Sequence, residues 1–300
     1  MTQYYDDTNV KRKRHRRRHP VRKIVFALLL ILFIVVGYSR FVEPYLLTTS
    51  YMEYDAPQLI HDGIIRQDRS ESPNLKIALF ADTHFSKYYT TENFENVIER
   101  INSENPDIVF FLGDLIDNYS TYEGNVEDIE NGLSRINASI GKFAVYGNHD
   151  YGGDMQFKYP EVMETGGFTL LVNQTDLLES LNLCILGIDD MLIGYGDPSA
   201  AKSLDPNRYN IVICHEPDVF DMMADCDIDL MFAGHTHGRQ INLKIFDDFI
   251  QPVYGKKYIK GNFDFDNERG SSLFVTSGIG MTKLPLRFGT PPEINIITLS

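Results

Sequence analysis

Cysteine is scarce in this sequence, and so is positive charge outside one short stretch. Cys184, Cys214 and Cys226 are its three cysteines, two of them inside apolar runs, and no C-x-x-C spacing occurs. That argues against a disulfide framework or a thiolate metal site and leaves the three as small buried hydrophobes. Nine of the 28 Lys and Arg residues fall between Lys11 and Lys23, whereas only Asp6 and Asp7 of the 42 acids precede Ile24. From Ile24 onward 19 basic residues face 40 acidic ones, a balance of -21. A body this acidic repels polyanions unless bound cations offset its field, which disfavours nucleic acid as a partner. The basic tail and the body must therefore meet different partners.

Only one long uncharged run exists. It extends from Ile24 to Ser39, is Leu, Ile, Val and Phe almost throughout, and follows the basic run KRKRHRRRH at 11–19. The apolar residues go all the way round a helix, which favours spanning a membrane over lying on its surface. The segment ends in VVGYSRF, without a small-x-small cleavage site, so a retained anchor fits better than a cleaved signal. Basic residues stay on the cytoplasmic side. The expected plan is a basic cytoplasmic tail (1–23), a transmembrane anchor (24–39), a linker (40–73) with an early strand near Leu59 to Ile65, and a catalytic domain (74–300). The expected protein is thus single-pass in the cell membrane, with its catalytic domain outside the cytoplasm. A nucleic-acid patch and a twin-arginine export signal are weaker readings of the basic run.

From Leu75 the chain repeats one arrangement five times. LKIALFA runs into Asp82, Thr83 and His84, and DIVFFL into Gly113 and Asp114. KFAVY leads to Gly147, Asn148, His149 and Asp150, IVIC to His215, and DLMFA to Gly234, His235, Thr236, His237 and Gly238. Uninterrupted apolar runs of this length read as strands buried on both faces, hence a layered α/β fold. Between the first two, Phe94, Val97, Ile98 and Ile101 recur at helical spacing after a Thr90 or Thr91 cap, and Asn105-Pro106-Asp107 ends that helix. In open α/β sheets ligand sites form at the carboxyl ends of strands, so the five polar clusters should converge. Asp82 and His84 are two apart, as are His235 and His237; in extended chain that spacing points both side chains the same way.

The resulting donors are Asp82, Asp114 and Asn148 with His84, His215, His235 and His237. A mixed oxygen and nitrogen set suits two divalent ions of Mn, Fe, Zn or Co rather than Ca or Mg. Any single fragment could be an ordinary turn or a core histidine. Five strand ends in order, carrying five of the eight histidines, are much harder to attribute to packing.

These blocks, D-T-H at 82–84, G-D-L-I-D at 113–117, G-N-H-D at 147–150, the lone His215 and G-H-T-H at 234–237, resemble the calcineurin-like metallophosphoesterase superfamily. The resemblance implies a four-layer α/β fold, two mixed β-sheets packed together and flanked by helices. It implies one metal on Asp82, His84, Asp114 and His237, and another on Asp114, Asn148, His215 and His235, the two sharing a water that attacks phosphorus. It further implies that His149 protonates the leaving oxygen, oriented by Asp150 or its surroundings, with Asp117 behind the ligands. The segment from Ser277 onward is similar to a membrane-associated branch, some of whose members resemble hydrolases of nucleotide-linked lipid precursors. Arg239 stands where relatives often carry glycine, and it could grip a substrate phosphate or face solvent in the turn.

The expected activity is hydrolysis of a phosphodiester or pyrophosphate bond in a phosphorylated small molecule or a lipid-linked envelope substrate. A nucleotide phosphodiesterase or nuclease and a catalytically silent metal-binding scaffold are the alternatives. Phe85, Tyr88 and Tyr89 could stack on substrate or pack, and the Leu284 to Phe288 segment could face lipid or cover a sheet edge.

Overall fold

The computed structural model describes residues 20–60, 74–243 and 251–300. The chain divides into two units, Met1–Gly37 and Tyr38–Ser300. The described part of the first belongs to helix α1 (Pro20–Phe41). Its 22 residues make about 33 Å of helix, against ~30 Å of bilayer hydrocarbon. It is long and apolar enough to cross a membrane. The expected anchor, 24–39, is thus extended at both ends, which takes in Arg22, Lys23 and Arg40. The basic run at 11–19 lies outside the described residues.

In the second unit two mixed sheets face each other. The first has the order β1-β12-β2-β3-β4-β5, the second β10-β11-β9-β8-β7-β6. The ranges in the first sheet are β1 Thr48–Tyr54, β2 Leu75–Phe80, β3 Ile108–Phe111, β4 Gly141–Ala144, β5 Thr169–Leu170 and β12 Glu293–Leu299. In the second they are β6 Gln174–Leu178, β7 Leu183–Gly187, β8 Tyr209–Ile213, β9 Leu230–Ala233, β10 Gly261–Asp264 and β11 Ser272–Val275. Strands β2 to β5 are parallel, as are β7, β8, β9 and β11.

The period of two along each strand divides the core into layers. Ile77 and Leu79 of β2, with Ile108 and Phe110 of β3, meet Ile211, Ile213, Leu230 and Phe232 between the sheets. Their neighbours Ala78, Phe80, Val109 and Phe111 point outward, under helices α2 (Thr91–Glu104), α3 (Val126–Ser134) and α4 (Met155–Thr165). Helix α2 buries Phe94, Val97, Ile98 and Ile101, as its spacing requires. The Thr90 N–H donates to Asn93 Oδ1 at 3.0 Å to begin the helix, and Asn105 at φ 50 ends it. The outer face of the second sheet is covered by short 3-10 turns, Pro198–Ser203 and Pro217–Met222, with Ala201, Val219 and Phe220 buried against it.

Residues 40–73, expected to be a linker, contribute more than a spacer. Strand β1 lies along β12 from Thr48↔Glu293 to Tyr54↔Leu299, and Glu43 is buried. The early strand expected near 59–65 falls mostly on residues outside the described ones; Leu59 itself lies buried in a bend.

Candidate metal centre

Strands β2, β3 and β4 of one sheet, and β8 and β9 of the other, release their chains toward the same place. Asp82 and His84 follow β2, Asp114 follows β3, Asn148 and His149 follow β4, His215 follows β8, and His235 and His237 follow β9. The two-residue spacing of the paired ligands does not align them through extended chain. Asp82 (φ 55), His84 (φ 42), Asp114 (φ 59), His235 (φ 69) and His237 (φ 50) are all left-handed. That conformation costs a non-glycine residue ~1–2 kcal/mol, so the strand ends hold strain where the donors meet.

Asp82, His84, Asp114 and His237 each bring a ligand atom within 4.8 Å of the others, and Asp114, His215 and His235 do the same. The Nε2 atoms of His84 and His237 are 3.1 Å apart. Asp114 Oδ2 lies 3.4 Å from His84 Nε2 and 3.2 Å from His215 Nε2. Asp82 Oδ1 lies 3.5 Å from His237 Nε2. Four donors ~2.1 Å from a tetrahedral ion stand ~3.4 Å from one another, so these separations suit a first-row divalent ion. Among the described residues, His215 Nε2 and Asn148 Oδ1 are buried with no hydrogen-bond partner. Buried polar atoms normally find one, and a cation would serve. The residues present fit the metal that the sequence implies.

Two of the unused ring nitrogens, on His215 and His235, are tied back to the protein, which fixes their tautomers. His215 Nδ1–H donates to the Leu112 carbonyl at 2.7 Å, and His235 Nε2–H to the Val253 carbonyl at 2.9 Å. His84 Nδ1 sits 3.3 Å from Asp117 Oδ1. His149 donates its backbone N–H to Asp114 Oδ1 at 2.8 Å and its Nδ1–H to the Asp117 carbonyl at 2.5 Å. Its ring meets that of His84 edge-on, centroids 4.6 Å apart.

Asp150, expected to orient His149, is occupied elsewhere. It is fully buried, and its carboxylate accepts the backbone N–H groups of Asp114, Leu115 and Gly147, each at 2.8 Å. It clamps two ligand loops together, and the contact with the His149 ring belongs to Asp117.

Burial alone would raise Asp114, but His215, His149 and His84 outweigh it and hold the carboxyl well below the usual range. Burial would lower His215, yet Asp114 and Asp82 hold it well above the ordinary imidazole value. Burial and the neighbouring His215 push His235 down to about 3, and burial with His84 pushes His237 down. The centre therefore calls for positive charge beside its carboxylates while keeping two imidazoles neutral, the form in which they ligate. Burial and the Asp114 charge push Asp150 up to about 7, against the pull of its three amides.

A cavity of about 440 Å³ opens over these residues. Asp114, Asn148, His149, His235 and His237 line one part, Arg239 and Lys283 add positive charge, and Leu192, Ile241, Val253 and Leu284 are apolar. Arg239 is half-buried with φ 74. Phe85 and Tyr89 are core residues, which removes them as stacking partners; Tyr88 lies under the Arg40 guanidinium at 4.8 Å. In the 284–288 segment Leu284 is exposed, but Arg287 is fully buried and faces no lipid. Cys184 and Cys214 are buried and all three cysteines are free thiols. The carbonyls of Leu112, Asp117 and Val253 are the partners that sequence could not indicate, because every residue carries one.

Residues 75–239 match the family model described as calcineurin-like phosphoesterase. The chain is 37% identical over 270 residues to an uncharacterized metallophosphoesterase, YkuE, of Bacillus subtilis, covering 88% of this chain and 89% of that one. It is 27% identical to the phosphodiesterase YaeI of Escherichia coli, over 83% of this chain and 92% of the other. The UDP-2,3-diacylglucosamine pyrophosphatase LpxG of Chlamydia muridarum is 25% identical, over 87% and 91%. The chain belongs to the calcineurin-like phosphoesterase family and is a metal-dependent phosphoester hydrolase.

Proposed function

We propose that the protein hydrolyses a phosphodiester or pyrophosphate bond with two divalent ions, one on Asp82, His84, Asp114 and His237, the other on Asp114, Asn148, His215 and His235. The observation that carries this reading is the position of Asp114, one buried carboxylate shared by both donor groups. Mn, Fe, Zn or Co suits such donors. When bound, the ions supply an acidified water and offset the charge of the phosphoryl oxygens.

The chain's own residues do the rest. With Nδ1 committed to Asp117, His149 has Nε2 left on the cavity it lines, where it can give a proton to the leaving oxygen. Arg239 and Lys283 can pair with phosphate oxygens beyond the scissile bond. The aliphatic wall excludes water and accepts an apolar part of the substrate. An amphiphilic phosphoester or lipid-linked pyrophosphate meets all three features, and α1 would keep the enzyme beside it, with the catalytic unit outside the cytoplasm. The names of YaeI and LpxG support the bond type and the amphiphilic substrate.

The full chain in detergent micelles, loaded with Mn²⁺, should cleave bis-p-nitrophenyl phosphate faster than p-nitrophenyl phosphate. His149→Ala should keep its metal and lose ~10²–10⁴-fold in turnover, whereas Asp114→Ala should lose both ions. Full metal occupancy without hydrolysis of either ester would sink the proposal.

A further inference from the structure

Arg287 is completely buried, although it belongs to the Ser277 to Thr290 stretch, which lies outside the named helices and strands. Its guanidinium donates to the carbonyls of Ser277, Gly280 and Thr290 at 2.7 to 3.0 Å, with two of the four bonds to Gly280. One buried fork thus gathers the loop. Asp82, Glu43 and Glu293 supply the negative charge that a buried guanidinium requires.

The gathered loop backs the metal centre on two sides. Ile279 and Gly280 donate their N–H groups to the carbonyls of Ala81 and Asp82, at 3.0 and 2.6 Å. A Cβ on Gly278 would stand 2.6 Å from Asp82 Oδ2, so the loop touches the ligand itself. On the other side Thr290 Oγ1 donates to the carbonyl of Gly238, the residue after His237, at 3.0 Å. The same loop is held from outside by the residues through which the chain leaves α1. The Arg287 N–H donates to the Ser39 carbonyl at 2.9 Å. The Thr290 N–H donates to Glu43 Oε1 at 2.6 Å, and Glu43 is only 3% exposed.

We propose that Glu43 is a positioning residue for the Asp82, His84, Asp114 and His237 cluster: through Thr290 and Arg287 it fixes the loop against which Asp82 and Gly238 are set. The last turn of α1 and the turn after it are then part of the apparatus that builds the metal centre, beyond any service as a tether. This rests on the two-ion reading above.

The test is Mn²⁺ titration of the full chain in detergent micelles, followed by the electron paramagnetic resonance of free Mn²⁺, with the melting temperature of each metal-free form measured in parallel. The wild-type chain should bind two ions. In Glu43→Ala one of the two should weaken about tenfold or more, the scale of losses behind metal ligands, while the other is unchanged. Glu43→Gln, whose amide oxygen can still accept from Thr290, should recover most of the affinity. Arg287→Lys keeps the charge but lacks the fork, and should weaken the same ion; it carries the test if Glu43→Ala yields no folded protein. Wild-type affinity at both sites in Glu43→Ala and Arg287→Lys, whatever their melting temperatures, overturns the proposal and leaves the two-ion reading standing. A wild-type chain that binds no Mn²⁺ overturns both.

Discussion

Replacing Asp150 with alanine distinguishes a clamp from a catalyst. The carboxylate accepts three backbone N–H groups at 2.8 Å, from Asp114, Leu115 and Gly147, in a place with no solvent exposure. Hydrogen bonds to a charged acceptor contribute ~1.5–3 kcal/mol each, and buried donors left without a partner are expensive. The three share one acceptor and the loops can relax, so we expect a loss of about 4–6 kcal/mol. At ~2–4 °C per kcal/mol for a unit of this size, the melting temperature should fall by on the order of 10–20 °C. Asp150→Asn keeps one acceptor oxygen and turns a donor toward an amide, so it should lose roughly half as much. Because two of the three amides flank a ligand, metal content should fall together with stability. Differential scanning fluorimetry and elemental analysis of the purified variants read both quantities. An Asp150→Ala protein with wild-type melting and full metal, yet without turnover, would refute the clamp and return Asp150 to a catalytic role.

Two further substitutions probe the scaffold. Gly278→Ala places a Cβ 2.6 Å from Asp82 Oδ2 at a residue with φ +65; displaced Asp82 should weaken Mn²⁺ binding, while the backbone strain costs ~1–2 kcal/mol in melting experiments. Phe232→Ala empties a fully buried position between the sheets. It should cost ~3–5 kcal/mol in denaturant unfolding with little change in metal stoichiometry, and a loss below ~1 kcal/mol would contradict the packing described.

The central strands were legible because burial on both faces demands unbroken apolar runs, and each run ended in a polar cluster that packing does not explain. The edges were not. Strand β1, TTSYMEY, has no fully buried position, and β10, GNFD, has none either. An edge strand can be satisfied by one neighbour and one half-buried face, so it carries no continuous apolar signal. The convergence of the donors was expected for a reason that the backbone does not supply, since five of them stand in left-handed turns rather than in extended chain. Spacing indicated the right residues, while φ decided how they are aimed. Arg287 sits among prolines and glycines in a stretch that reads as surface loop; only its burial reveals what it holds.

Strand β12 enters between β1 and β2, pairing with one from Thr48↔Glu293 and with the other from Asn295↔Leu79. The earliest of the described strands must therefore wait, during synthesis, for the latest. Until then β2 presents an open edge, and Gly278, whose carbonyl accepts from the Glu293 N–H, has nothing behind it to press it toward Asp82. A closure spanning almost the whole polypeptide is slow. Closure of the first sheet and completion of the metal centre are thus linked: the loop that backs Asp82 is the one that leads into the last strand.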